Sequence, residues 1–483
     1  MGLALALAVV AALGLAKAPV RASAIPVSGG SIWTIAGMGG SPSLGGDGGP
    51  AIDASFAQPW GIAVDRSGNV FVADTGNNVL RRIDTDGIIT TVAGNGRSGS
   101  LGDGLPAVDA ELAGPTGVAV DGAGNIYIAD TGSDRVRRVT PDGTILPFAG
   151  TGVPGPLGDG GPAVRATLHQ PTGLAVDQAG DVFIADAFNN RVRRVAPDGT
   201  ITTIAGTGVA GFSGDGGSAT AATLDLPSSV SVAANGDILI ADLGGGRVRR
   251  VNSAGIIETV AGGGTGDLGD GGPATLATLT LVWGVAVDGA GGILITSGSR
   301  VRRVDSTGTI TTIAGTGVPG FAGDGGPAAS AQLNNPVGVA TAPDGTVLLA
   351  DRGNNRVRWL TGLRFGPAGA MGPPGPGGPV GAPGPPGAGG RLVAVAFRAR
   401  ATSRSVTVQY LLNHAARITV RVGRPHEQGR VVRVSAGRPG RNVVRWDRGR
   451  AGWTARSGVY VVTLVADDAG RVATSRLRVR LPR

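Results

Sequence analysis

An all-β chain is predicted: a six-bladed β-propeller closed by its own N-terminal strand, followed by a small β-sandwich. Three observations carry this expectation. A unit of 54–56 residues recurs six times, marked by a GDGG-like tetrapeptide with its Asp at Asp47, Asp103, Asp159, Asp215, Asp270 and Asp324. Each unit holds four short apolar segments separated by Gly, Asp and Asn turns, the pattern of a four-stranded blade. Beyond residue 390 the repeat stops and alternating apolar segments of another kind begin.

The chain opens with an apolar run, Leu3–Ala16, followed by Lys17, Arg21 and the small residues Ala22-Ser23-Ala24. Residues 1–24 read as a secretory signal peptide. The run falls short of the ~20 residues that span a bilayer, although an uncleaved anchor is the alternative. A secreted or cell-surface protein is expected.

The propeller is expected over residues 31–362. Its innermost strand (a) is the GIAVD-like segment, with a small residue at its centre in every copy: Ala63, Ala119, Ala175, Ser231, Ala286 and Ala340. Small side chains suit strands crowded around an axis. Strand b is apolar on both faces, as a sheet packed between two neighbours requires. Strand c carries an Arg pair such as Arg193-Arg194, expected to pair with repeat Asp residues between blades. The Asp ending strand b (Asp74, Asp130, Asp186, Asp242, Asp351) is expected to bond turn amides. In the fifth unit Thr296 is taken to replace it. Gly246 and Ser299 replace the turn Asn in units four and five, which predicts looser turns there. The GDGG Asp is expected to fold its own loop before a helical turn begun by Pro50, Pro106, Pro162, Pro273 or Pro327. Calcium is the weaker alternative, since each loop brings one acid where calcium loops bring several.

Closure follows from counting. The fourth-strand segment Ile32–Gly37 has no blade before it, and the sixth unit ends near Arg356–Leu360 without a fourth strand. Each supplies what the other lacks, leaving no open sheet edge.

The strings PWGIAVDRSGNVFVADTGNNVLRRI (59–83) and QPTGLAVDQAGDVFIADAFNNRVRRV (170–195) resemble NHL repeats. The GDGGPA-bearing insertion resembles the NHL propellers of teneurins and of large bacterial surface proteins. The resemblance implies a propeller used for binding.

From Gly366 to Gly390 glycine recurs at every third residue, with Pro in most triplets. Residues 363–390 are read as an extended, collagen-like linker. The expected state is a monomer; a trimer through this segment is the alternative. Residues 391–483 show apolar segments at Ser405–Leu411, Arg417–Val422, Arg441–Trp446, Val459–Val465 and Ser475–Leu481. Residues 446–471 resemble the Ig-like domain of flagellar hook-capping proteins through Trp446, Asp447, Gly449, Gly452, Gly458 and Tyr460. That resemblance implies an Ig-like β-sandwich without catalysis.

The chain has no Cys and three His, so no metal centre and no cofactor are expected. No acid–base pair is poised in the sequence, and no enzyme is expected. A lactonase-like hydrolase or lyase working in the central channel is the rival reading, and a purely structural envelope spacer the third. Antiparallel blades place the d–a and b–c loops on one rim. That rim gathers Trp60, Trp283, Phe188, His169, Phe212, Phe321 and a near-ring of Arg135, Arg191, Arg247, Arg300 and Arg356. Loops on a rigid scaffold carry function, so this face is expected to hold a protein or carbohydrate partner.

Charge divides unevenly. Residues 391–483 hold 20 Arg against Glu427, Asp447, Asp467 and Asp468, a net +16, which leaves −7 for the rest. Arg421, Arg424, Arg430, Arg433, Arg441, Arg445, Arg448 and Arg450 are the candidate contacts for an anionic cell-envelope polymer. No sequence-specific nucleic-acid partner is expected. Lys17 is the only Lys in the chain, so an Arg-biased composition is the competing account of the charge. Titration of residues 391–483 against heparin or DNA at two salt concentrations decides between them. Polyanion binding predicts a log–log salt slope of ~0.7–0.9 per phosphate neutralised; no binding at low salt leaves composition as the account.

Overall fold

The computed structural model describes residues 30–40, 43–363 and seven strands between 394 and 481. The expected signal peptide and residues 364–390 of the collagen-like segment lie outside the described residues.

Six four-stranded antiparallel sheets form the propeller. The third is typical: Pro171–Val176 (a), Val182–Asp186 (b), Arg191–Val195 (c) and Ile201–Ala205 (d) pair in sequence order. Strand b is wholly buried in five of the six blades, as its two apolar faces require. The core is six layers, one between each pair of successive blades. In the layer between the first two, Phe71 and Leu80 pack on Leu112, Ile128 and Ile145.

The ring closes as the count of strands predicts. Ser31–Ala36 pairs antiparallel with Arg356–Thr361, Ile32 opposite Leu360, and completes the sixth sheet. Ile32 is fully buried and lies in the layer between blades five and six.

Two devices join neighbouring blades. At the axis, strand a of one blade touches the next backbone to backbone. A Cβ at Gly61, Gly117, Gly284 or Gly338 would be driven into the carbonyl oxygen of Thr116, Thr172, Val337 or Trp60 respectively. Glycine at this position permits the close approach in five blades, and blade four has Ser229 there. At the periphery, the GDGG loop bonds to two outer strands. The Gly150 N–H donates to Ala163 O at 3.0 Å and holds the loop to the end of strand d in blade two. The Gly160 N–H donates to Ile201 O at 2.8 Å, and Ile201 returns a bond to Gly161 O, holding it to the start of strand d in blade three. The same pattern crosses the closing seam: Gly325 donates to Ile32 O and Ile32 donates to Gly326 O. A 3-10 turn follows each GDGG, preceded by the expected proline or, in blade four, by Ser218.

Blade five corrects the sequence alignment. Ser297, not Thr296, stands opposite Arg300 as Asp242 stands opposite Arg247. Thr296 holds the position of Ala241, and the b–c turn is two residues shorter.

In the C-terminal region, Ala394–Ala401, Ser405–Leu412 and Gly440–Asp447 form one antiparallel sheet. Arg430–Gly437, Ala416–Gly423, Gly458–Asp468 and Arg471–Leu481 form a second, in that order. All five expected segments fall in these strands; Ala394–Ala401 and Arg430–Gly437 are two further strands. Arg424, Arg448 and Arg450 lie outside the described residues. Arg421, Arg430, Arg433, Arg441 and Arg445 lie on strands of the two sheets.

Closure makes a prediction. Deleting residues 1–38 unpairs Arg356–Thr361 and exposes its edge. The shortened protein should melt several degrees lower or aggregate on heating; unchanged melting and solubility would contradict the closing role of Ser31–Ala36.

Candidate functional site

Strand c carries the buried charge that organises each blade. Arg81, Arg137, Arg193, Arg249, Arg302 and Arg358 are essentially inaccessible and are the largest fully buried side chains among the described residues. Each reaches the GDGG Asp of its own unit: Arg81–Asp47 at 2.8 Å, Arg137–Asp103 at 2.6 Å, Arg193–Asp159, Arg249–Asp215 and Arg302–Asp270 at 2.7 Å, Arg358–Asp324 at 3.2 Å. In five blades the second carboxylate is the Asp that ends strand b, 2.9–4.0 Å away. The pairing expected between blades is thus within each unit. It still bridges blades indirectly, because the GDGG loop is bonded to the neighbour's outer strand.

The strand-b Asp does more than bond turn amides. Its Oδ1 accepts from the backbone N–H seventeen residues earlier, Ala57, Ala113, His169, Asp225 or Asn334, at 2.6–2.8 Å. Asn77, Asn189 and Asn354 donate to Oδ2 at 2.8 Å. Burial pushes Asp74 and Asp186 up to about 6 and Asp242 up to about 7, against the lowering effect of these donors. Burial outweighs the donors at Asp242 for visible reasons. Gly245 stands where Asp74, Asp186 and Asp351 have an Asn donor, and Arg249 Nη1 is 4.0 Å away. In blade five the hydroxyl of Ser297 accepts the same backbone bond, from Thr280 at 2.9 Å. Arg302 there has Asp270 alone.

The arginines of the near-ring each bond a carbonyl of the local chain. Arg135 donates to Thr151 O, Arg191 to Pro156 O and Thr207 O, Arg300 to Thr316 O, and Arg356 to Met38 O. Arg247 donates to Gly245 O and lies over the Phe212 ring, and Arg356 over Phe321, each at 3.7 Å. Each guanidinium therefore works on the local chain of its own rim loop. His169 and Phe188 stack in blade three with centroids 5.2 Å apart, and Phe188 is half exposed.

The mouth of the axial channel differs among the six copies. The channel is a cavity of about 330 Å³ walled by strand a of all six blades. The first wall residue of each strand, beside the b–c loops, is Trp60, Thr116, Thr172, Ser228, Trp283 or Val337. Trp60 and Trp283 come from blades one and five, on either side of Val337, and meet edge to face at 5.2 Å. The buried Trp283 indole N–H has no hydrogen-bond partner. The Arg352 guanidinium lies 4.7 Å from the Trp60 ring centre, and Nη2 donates to Gln58 Oε1 at 2.8 Å. Arg352 and Gln58 went unnoticed in the sequence. The signal was available, since Arg352 stands where the other long b–c turns carry Thr75, Thr131, Ala187 and Leu243. Around the rim, every GDGG loop also presents a large apolar side chain two or three residues before its Asp: Leu44, Leu101, Leu157, Phe212, Leu268 and Phe321, 37–71 % exposed.

Among the described residues no three His, Asp or Glu side chains gather as a metal site would need.

Comparison with known proteins agrees with the repeat geometry. Residues 112–139 and 333–360 match the NHL repeat, and residues 37–101 and 152–211 match the Teneurin NHL domain. The propeller is built of NHL repeats. Mouse Teneurin-1 is 33 % identical over 232 residues, 43 % of this chain and 8 % of its own length. Human Teneurin-4 is 33 % identical over 233 residues, 42 % of this chain and 8 % of its own. The matched region thus spans less than a tenth of these relatives. A structural genomics protein of unknown function from Bacteroides thetaiotaomicron VPI-5482 superposes with a TM-score of 0.51 at 18 % identity, covering 69 % of this chain and 76 % of that one. An auxiliary nutrient binding protein from the same organism gives 0.51 at 14 %, with the same coverage. These two likenesses speak to the fold alone.

The buried Asp residues set a pH dependence. A carboxyl raised from about 4 when unfolded to 6–7 when folded binds protons more readily in the native state. Its contribution to stability is therefore present near pH 4 and lost as pH rises to about 7. Asp242→Asn keeps the acceptor for the Asp225 N–H and removes the titration. Its melting temperature relative to wild type should rise between pH 4.5 and pH 8, a trend absent if Asp242 titrates normally. Arg249→Ala, which strands a buried carboxylate, should cost about 3–5 kcal/mol at pH 8.

Proposed function

We propose that this is a secreted or cell-surface binding scaffold that engages its partner on the loop face of the propeller. The observation that carries the reading is where the six copies agree and where they part. The structural ion pair repeats: the buried strand-c Arg and its GDGG Asp partner are the same in all six. The channel mouth instead holds two Trp, two Thr, a Ser and a Val, with Arg352 beside them. Six copies of one fold need no asymmetry at the mouth for stability, whereas recognition of an asymmetric partner does. The exposed apolar rim supports the same face, since such side chains at loop tips favour contact with a partner.

Binding is favoured over hydrolysis or elimination by the channel wall. Strand a turns small and aliphatic residues to the axis, and His169 stacks on Phe188. The apolar N-terminal run and the similarity to teneurins support an extracytoplasmic setting. No helix among the described residues is long and apolar enough to cross a membrane. The C-terminal sheets are read as an Ig-like sandwich whose Arg excess attaches the protein to anionic envelope polymer, with residues 363–390 as the spacer.

The reading is tested with the full chain on glycan and peptide arrays, beside a Trp60→Ala/Trp283→Ala variant. Ligands captured by the wild type should be lost by at least about tenfold in the variant, as for other aromatic anchors. Capture that survives both substitutions would place recognition elsewhere; enzymatic turnover of a captured ligand would favour the channel enzyme.

A further inference from the structure

We propose that the channel mouth takes a carboxylated sugar, a uronic-acid unit. This rests on the loop face being the binding face and names the ligand for it.

The charge argues first. The buried strand-c arginines each have a carboxylate at 2.6–3.2 Å. Arg352 is half buried and, among the described residues, has no acidic group within ion-pair distance; its partners are the Gln58 amide oxygen and the Trp60 ring. A guanidinium withdrawn from water with no counter-charge favours an anion that can take its remaining donors, and a carboxylate matches the planar fork. Trp283 packs edge to face on Trp60 and adds a second aromatic surface. The guanidinium at the aromatic side of the mouth calls for acceptor oxygen.

The rest of the mouth argues for a sugar as the carrier. Trp60 and Trp283 offer apolar ring surface, against which the C–H face of a pyranose packs. Thr172 Oγ1 donates to Pro227 O, and Ser228 Oγ donates to Val282 O and lies equally close to Trp283 O, so their hydroxyl protons are committed to the next blade. What these groups have left is acceptor capacity, which suits sugar hydroxyl donors. Donors on one side and acceptors on the other fit a ring that bears a carboxylate at one end and hydroxyls at the other. The cavity volume of about 330 Å³ is at the small end of ligand pockets, ~300–1,000 Å³, and fits one or two sugar rings.

Titration calorimetry on the full chain tests this with digalacturonate, the neutral galactose disaccharide, and an N-acetyl dipeptide bearing a free carboxylate. Digalacturonate should bind, the neutral disaccharide at least about tenfold more weakly, and the dipeptide weakest of the three. Arg352→Ala should lower digalacturonate affinity by ~10–100-fold, the range of a charge-assisted bond, and affect the neutral sugar far less. Arg352→Lys should restore part of the loss. The arginine-rich C-terminal region is identical in all variants, so uronate binding that Arg352→Ala does not alter belongs there and overturns the proposal. Equal affinity for acid and neutral sugar, tighter binding of the dipeptide, or no digalacturonate binding up to about 10 mM also overturns it. Array ligands of another class that need Trp60 and Trp283 would leave the loop face as the binding face and remove only the uronate. Thermal melts at wild-type temperature show that each variant is folded.

Discussion

One arginine per blade holds the propeller together. Its guanidinium sits in a dry layer between sheets, where a lone charge would be prohibitive and a paired one is tolerable. The two carboxylates that tolerate it come from different places, one from the end of strand b and one from the loop that arrives from the previous blade. The arginine therefore fixes the b–c turn and pins the linking loop at once. With that loop pinned, its neighbours bond to two outer strands, and the circumference of the disc is continuous. Replacing the arginine by a hydrophobic residue would leave both acids unmatched, so the three groups depend on one another in five blades; in the fifth blade, Arg302 and Asp270 form a pair.

The two ends of each radius use different physics. At the axis, backbone touches backbone and the requirement is steric; hence glycine, in five blades, where strand a enters the channel. At the rim the contact is polar, made of backbone bonds and a charge. Between them lies an ordinary apolar layer of Val, Ile and Leu. A blade built this way has little freedom to tilt.

Much of the fold was legible because the repeat multiplies every signal six times. Strand order, blade number and closure all follow from counting segments, and the proline-led turn follows from local chemistry. The central role of Arg193 and its counterparts was not legible, because a sequence shows charge and not burial. Arg-Arg in a short strand reads equally well as a wet edge. The near-ring of arginines at the start of strand c looked like a ligand face for the complementary reason: spacing placed them on the rim but could not show that carbonyls such as Thr207 O already hold them. At the channel mouth, Trp60 and Trp283 stood out as rare residues in equivalent positions. Arg352 needed a comparison between copies, in which it is the only charged residue at its place in the turn.

The closing strand has a consequence for how the molecule is made. Ile32 pairs with Leu360, about 330 residues away along the chain. During synthesis the strand that finishes the ring emerges first and has no partner until the sixth blade is out. Loop-closure entropy over such a length grows only slowly, but formation of so distant a contact is late and slow. Until then a lone strand and an unfilled edge coexist, each complementary to the same feature on another copy. Strand exchange between two nascent chains would bury the same surfaces, so correct assembly of this protein is a matter of kinetic order and local concentration as much as of stability.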